Sequence, residues 1–219
     1  MRILVFATLS LVLLAASGAV AQGPSGIALV VEVNGQTTPA VKPFSELPAG
    51  ATIALGPGAK LAFVHYDTCR TVTVTGGTVI IGAKGYQATG GAATEVRTPC
   101  PRSVKVQRGG EAAGLVLRSA PNRVTLTTRP SFVLVGPRVD DIASVAIAKD
   151  GEAAPVLRVP LAGPRFEWPA DAEPLTDNTR YDLVFSFKDP AVPAARQSIV
   201  TRAPVPDAPS PPVTLIRLD

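Results

Sequence analysis

Apolar and polar residues alternate along this chain in short runs that are separated by turn residues. Residues 180–187 are the clearest case, because Tyr181, Leu183, Phe185 and Phe187 fall on one face of an extended chain. A period of two over four to eight residues is typical of a strand with one buried face. Sustained helical spacing is missing, so the pattern predicts an all-β protein.

Strand-like runs fill the first half of the chain. They cover residues 27–33, 52–55, 60–67, 71–75, 78–81, 94–97 and 103–107. Asn34-Gly35 and the Gly56-Pro57-Gly58 segment predict turns, and Gly76-Gly77 predicts a tight hairpin. The small, glycine-rich residues 108–114 that follow suit a flexible linker.

The second half contains seven further runs, with turn residues about every ten positions, a rhythm typical of a β-sandwich. The runs cover residues 124–128, 131–135, 144–148, 155–161, 165–168, 180–187 and 196–201. Four prolines lie within residues 205–212, which predicts an extended, stiff segment. Residues 213–218 form a last strand or hang free.

The amino terminus has the layout of a secretory signal peptide. Arg2 is followed by an apolar run, and Ala19-Val20-Ala21 matches a cleavage site, which leaves Gln22 as the first mature residue. The predicted layout is a signal peptide over 1–21, a β domain over 22–107, a linker over 108–114, a sandwich over 115–203 and a proline-rich tail over 204–219.

Composition narrows the classes of partner. Apolar residues make up 46% of the chain, enough for a packed core. The net charge is +4, but lysines and arginines are scattered without interleaved aromatic residues, so no nucleic-acid partner is expected. Beyond the signal peptide no apolar stretch reaches the length of about 20 residues that a membrane span needs. We therefore expect a periplasmic or secreted protein.

Cys69 and Cys100 are the two cysteines of the chain. An even pair in an oxidising compartment usually forms a disulfide. Two buried thiols, or a redox or metal role, are the alternatives.

His65, Asp67 and Cys69 are spaced two residues apart. If the strand continues through them, all three side chains project from one face and could ligate zinc. His65 is also the single histidine and the one conventional base for nucleophilic catalysis. However, Asp67-Thr68 has the composition of a turn, so neither a metal site nor a catalytic site is expected.

Trp168 bears on a further possible function, the binding of carbohydrate. It shares a predicted strand face with Phe166 and is expected in the sandwich core. Exposed, it would provide a platform for stacking sugars and indicate a carbohydrate-binding module.

Each unit resembles a known family. Residues 47–55 (LPAGATIAL), 58–64 (GAKLAFV) and the 72–81 segment resemble the FecR-like domain of bacterial envelope proteins over residues 27–107. Leu175, Thr179 and Tyr181 resemble the tyrosine corner of fibronectin type III and immunoglobulin-like sandwiches over residues 115–203.

These resemblances imply interaction folds rather than an active site. With no catalytic residue, cofactor or metal expected, the sequence favours an exported, non-catalytic binding or scaffold module. Its partner would be a protein or a polymer of the cell envelope, engaged through sheet edges and loops.

Overall fold

A computed structural model describes residues 26–108, 124–204 and 213–218, with backbone alone for 107 and 108. The predicted signal peptide (1–21), residues 109–114 of the predicted linker and the four prolines of 205–212 lie outside this range. The described chain is all-β, as predicted, with one 3-10 turn at Val139–Asp141. Its strands are β1 (Ala28–Asn34), β2 (Thr37–Thr38), β3 (Glu46–Leu47), β4 (Thr52–His65), β5 (Arg70–Gly82), β6 (Gly85–Thr89), β7 (Ala92–Arg97), β8 (Arg102–Lys105), β9 (Gln107–Arg108), β10 (Val124–Thr127), β11 (Phe132–Val135), β12 (Ile142–Lys149), β13 (Pro155–Pro160), β14 (Arg165–Phe166), β15 (Arg180–Phe187), β16 (Ala195–Arg202) and β17 (Thr214–Arg217).

The first seven strands form one antiparallel sheet in the order β3-β1-β4-β5-β6, with β2 on β4 and β7 on β5. Strands β4 and β5 are long enough to pair with different neighbours at their two ends, so the sheet encloses its own core. The buried core residues are Ala28, Val30, Leu47, Ile53, Leu55, Ala59, Leu61, Phe63, Val72, Val74, Val79 and Ile81.

Two predicted turns in this sheet are wrong. Gly56-Pro57-Gly58 is a bulge within β4, where the register with β5 jumps between Leu55 and Lys60. Gly76-Gly77 lies inside β5 and bends that strand, with both glycines at positive φ. The hairpin turns instead lie at residues 66–69 and 83–84. Glycine marks a strand bend and a turn equally well, so sequence alone could not separate them.

Two further sheets share the second core. One runs β10-β16-β15-β12-β13, with β9 on β16, and the other runs β14-β11-β17-β8. The larger buried side chains between them are Leu126, Phe132, Leu134, Ile147, Phe166, Tyr181, Leu183, Phe185, Ile199 and Ile216. The face of β15 predicted from its alternation is the buried one for Tyr181, Leu183 and Phe185, whereas Phe187 is partly buried.

Strand membership differs from the predicted layout at three places. Strand β9, at the boundary between the predicted first unit and the predicted linker, pairs with β16 of the second unit. Strand β8, assigned by sequence to the first unit, pairs in parallel with β17 in the four-stranded sheet. Strand β17 itself lies in the predicted tail, yet it occupies a central position between β11 and β8. Strands β8 and β17 have only four residues each and their partners lie far away in sequence, so local pattern could not assign them to a sheet.

The two units meet at a small apolar cluster. We call it the junction cluster: Leu29, Val133, Val135 and Leu215, with Phe44 and Tyr66 packed against them. In β11, Phe132 and Leu134 enter the second core while Val133 and Val135 enter the junction cluster. Successive side chains of a strand point to opposite faces, so β11 has both faces covered.

Candidate functional site

A cleft of about 460 Å³ lies between the first sheet and the second unit. Its walls come from β1 and β4 on one side and from β8, β10, β11 and β17 on the other. Ligand sites of this volume occur preferentially where two units meet. This cleft, named here the junction cleft, is therefore the candidate site.

The floor of the junction cleft is apolar. The buried apolar side chains that line it are Leu29, Val64, Leu126, Phe132 and Val133, and Thr214 is a buried polar residue of the lining. Val31 and Val213 also line it and remain accessible, with exposed fractions of 39% and 43%. Such a surface favours an apolar group of a ligand over bulk water.

Among the described residues, the charged ones that line the cleft are all cationic: Arg102 at the start of β8, Arg165 at the start of β14 and Arg202 at the end of β16. Arg165 contacts Glu167, and its guanidinium lies 5.5 Å from the centre of the Phe44 ring. Within the described ranges no carboxylate pairs with Arg102 or Arg202. The mouth of the cleft therefore favours an anionic group.

Two edge strands border the junction cleft. Strand β10 pairs with β16 alone, and β8 pairs with β17 alone, among the strands that the structure describes. Thr125, Leu126 and Thr127 of β10 and Arg102 of β8 line the opening. A strand with one unpaired edge offers backbone donors and acceptors to another chain.

The structure gives His65 a structural position. Its fully buried ring lies at the end of β4, with Nε2 2.9 Å from the Gly82 carbonyl oxygen. The Thr68 backbone N–H donates to Nδ1 at 3.4 Å. Backbone groups thus engage both ring nitrogens, and the histidine ties the β4–β5 turn to the end of β5.

Asp67 and Cys69 do not extend the strand of His65. Strand β4 ends at His65, and the turn that follows places Cys69 at a φ of 52°. The three side chains consequently do not share one strand face. Across the described ranges, no group of three or more His, Cys, Asp or Glu side chains could hold a metal ion.

Cys69 and Cys100 form the predicted disulfide, with their Cα atoms 4.6 Å apart. The bond joins the β4–β5 turn to the segment that leads into β8. It therefore links the first sheet to a strand of the second unit, a role that sequence spacing could not reveal.

The Tyr181 hydroxyl bonds to the backbone just upstream of β15. It accepts a hydrogen bond of 3.1 Å from the backbone N–H of Thr176, five residues upstream. Leu175 is buried in the same core, and the Thr179 N–H donates to the Thr201 hydroxyl at 3.2 Å. These contacts fix the entry of β15.

Trp168 packs at the edge of the second core, whereas Phe166 is fully inside it. The indole is partly buried, and its Nε1–H donates to the Ala172 carbonyl oxygen at 3.2 Å. A half-buried indole held in this way keeps one part of its ring accessible.

Sequence reasoning missed a charged triad beside the junction cluster, formed by Glu46, Tyr66 and Arg217. Arg217 and the Tyr66 hydroxyl both donate to Oε1 of Glu46, at 2.6 and 3.0 Å. Burial, and then the Glu46 charge, raise the pKa of Tyr66 above its ordinary value of 10. The partners are up to 171 positions apart, so local patterns carried no signal of their contact.

Sequence and fold comparisons add no relative. The chain matched no protein-family model, no curated protein and no solved structure. The FecR-like and immunoglobulin-like resemblances therefore stay predictions. Among the described residues, no helix has the length and apolar character to cross a membrane.

Proposed function

We propose that this chain is an exported, non-catalytic binding or scaffold protein of the bacterial envelope. In this proposal a FecR-like unit and an immunoglobulin-like unit hold a partner in the junction cleft. The observation that carries it is an apolar floor and a cationic rim at the place where the units meet. The family resemblances contribute by analogy.

The disulfide supports export. Cys69 and Cys100 are paired, and such bonds persist in oxidising compartments such as the periplasm. The signal peptide predicted over 1–21 would direct the chain to that compartment and then be cleaved.

The surroundings of His65 support a non-catalytic role. It is the single histidine of the chain, and it is buried with both ring nitrogens engaged by backbone groups. A general base must reach the proton that it abstracts, and the buried position of His65 argues against that task.

Site-specific photo-crosslinking in the native envelope tests the proposal. A benzophenone amino acid replaces Ser131, an exposed residue of the junction cleft, or Gln87, an exposed residue of β6 outside it. We expect a discrete adduct from position 131 and none from position 87.

A pair of blocking variants controls for folding. Val31 and Ile80 are each 39% exposed on strands of the first sheet, but Val31 alone lines the cleft. Val31→Trp should abolish the adduct at position 131, whereas Ile80→Trp should leave it. No adduct at 131, or an adduct that Val31→Trp leaves unchanged, would contradict the proposal.

A further inference from the structure

We infer that the partner presents an acidic, extended peptide segment, which adds as a strand to the edge of β10 that no described strand covers and directs carboxylates to the arginines of the junction cleft. This inference rests on the proposed function and gives the partner its chemistry. Three observations support it: the edge of β10 that no described strand covers, the apolar floor of the junction cleft and the arginines that line the cleft.

The edge comes first. Strand β10 pairs in parallel with β16 from Val124↔Ile199 to Thr127↔Arg202. Backbone groups of a strand alternate between its two sides, so about half of those in β10 point away from β16. No other described strand pairs with that side, and Thr125, Leu126 and Thr127 line the cleft. An added strand would satisfy these groups, as in other peptide sites built by strand addition.

The apolar floor of the cleft would contact every second side chain of the added segment. A strand laid along β10 presents every second side chain to each of its faces. One set would meet the apolar surface that includes Val31 and Phe132, and the other set would lie toward the rim. A segment in which small apolar residues alternate with charged residues would place the apolar ones on the floor and the charged ones toward the rim.

The charge selects acidic residues. Of the described residues, Arg102, Arg165 and Arg202 line the cleft and no carboxylate does, while Arg165 also contacts Glu167 outside the lining. A guanidinium binds a carboxylate through paired hydrogen bonds. A fatty acid would match the arginines and the floor, but it would offer no partner to the backbone groups on the side of β10 that no described strand covers. A peptide uses all three features and is the favoured occupant.

A synthetic probe tests the inference on the full chain: an eight-residue peptide of alternating glutamate and valine with blocked ends. Titration calorimetry gives its affinity, and amide hydrogen exchange reports on Thr125–Thr127. We expect binding together with slower exchange at β10. The same peptide with lysine in place of glutamate, or with N-methyl groups along one edge, should bind at least several-fold more weakly.

Charge-reversal variants provide the matched comparison. Arg102→Glu combined with Arg202→Glu should weaken binding of the Glu/Val peptide roughly tenfold. Arg158→Glu, at an exposed position of β13 outside the cleft, should change it little. Val31→Glu and Val31→Lys both remove an apolar contact and should weaken binding, Val31→Glu more strongly because its carboxylate repels the acidic segment, with Ile80→Glu as the folding control.

The outcomes separate this inference from the proposed function. If the Glu/Val peptide leaves exchange at β10 unchanged while the adduct at position 131 still forms, the acidic-strand inference is overturned and the cleft keeps its role. Tight binding of dodecanoate without protection of β10 also overturns it, in favour of an acyl ligand. If the peptide leaves exchange at β10 unchanged and the adduct at position 131 also fails to form, both the acidic-strand inference and the proposed function are contradicted.

Discussion

Arg217 shows how one side chain joins elements that are distant in sequence. It lies in β17 and bonds to Glu46 of β3 at 2.6 Å, and the two side chains are only 14% and 11% exposed. Tyr66 adds a second donor to the same carboxylate. A buried charge is tolerated when it is paired and hydrogen-bonded, so the triad depends on each of its members.

Replacing Arg217 therefore tests the triad. Arg217→Ala leaves the Glu46 carboxylate buried without its cation, and we expect it to lower the free energy of unfolding by about 3 kcal/mol. Lys60→Ala breaks an exposed pair with Glu32, at 3.9 Å with exposures of 43% and 54%, and should cost less than about 1 kcal/mol. Urea unfolding followed by circular dichroism measures both. Equal losses would contradict a buried role for the triad.

Tyr66 predicts a dependence of stability on alkaline pH. Burial and the Glu46 carboxylate raise its pKa above the ordinary value of 10. A raised pKa contributes stability that is complete below the pKa of the unfolded state and is lost as the pH rises above it. We expect unfolding free energy to fall above about pH 10, by up to roughly 1.4 kcal/mol per pH unit for this group.

Tyrosine-to-phenylalanine variants isolate that contribution. Tyr66→Phe should flatten the alkaline slope of the unfolding free energy, measured by urea titration at successive pH values. Tyr86, whose pKa is also raised but which is much less buried, should matter less, so Tyr86→Phe should retain most of the slope. The same slope in the protein and in Tyr66→Phe would refute the assignment.

At the scale of elements, the glycines of β5 set the shape of the first sheet. Gly76 and Gly77 both have positive φ within a strand that continues to Gly82. The bend lies opposite the bulge in β4, between Leu55 and Lys60. Each half of β5 can therefore pair with a different neighbour, β7 at one end and β6 at the other.

The two glycines should respond differently to alanine. A Cβ at Gly76 meets no atom within 4 Å, whereas at Gly77 it would overlap the Thr89 carbonyl oxygen and the backbone of Gly90 and Gly91. Gly76→Ala adds mainly the strain of a left-handed residue, about 1 to 2 kcal/mol. Gly77→Ala should cost distinctly more, because backbone atoms must shift. Thermal unfolding of the two variants checks the order, and equal losses would argue against the described bend.

Strand β17 shows what an element gains from its position. Leu215 faces the junction cluster and Ile216 faces the second core, and both are fully buried. The four residues of β17 thus lie between β11 and β8 and contribute buried side chains to both the junction cluster and the second core. From sequence, residues 213–218 were equally consistent with a strand and a free end.

At the scale of the whole molecule, the disulfide reinforces the junction. It closes a separation of 31 residues and joins the first sheet to the segment before β8. The double variant Cys69→Ala/Cys100→Ala should lower the unfolding free energy by about 3 to 4 kcal/mol, from the added chain entropy of the unfolded state. The urea midpoint of the variant against the oxidised protein measures this, and an unchanged midpoint would contradict it.

Local residue patterns predicted much of the strand content but little of the candidate site. The alternation of apolar and polar residues located β15 and its buried face. The presence of two cysteines predicted the disulfide between Cys69 and Cys100. The junction cleft escaped prediction because its lining comes from residues as far apart as Leu29 and Thr214. Its arginines look like ordinary surface residues until the fold brings them to one opening.

The amino-acid sequence by itself determined the all-β class and most strand positions, because these depend on spacing within a short stretch of chain. It also determined the disulfide partners, because the chain has two cysteines. Tertiary structure alone decided that Gly76-Gly77 bends a strand, that β8 and β17 pair with each other, and that cationic side chains border an apolar cleft. The physical reason is that alternation states which face of a strand is buried, but not which distant strand covers it.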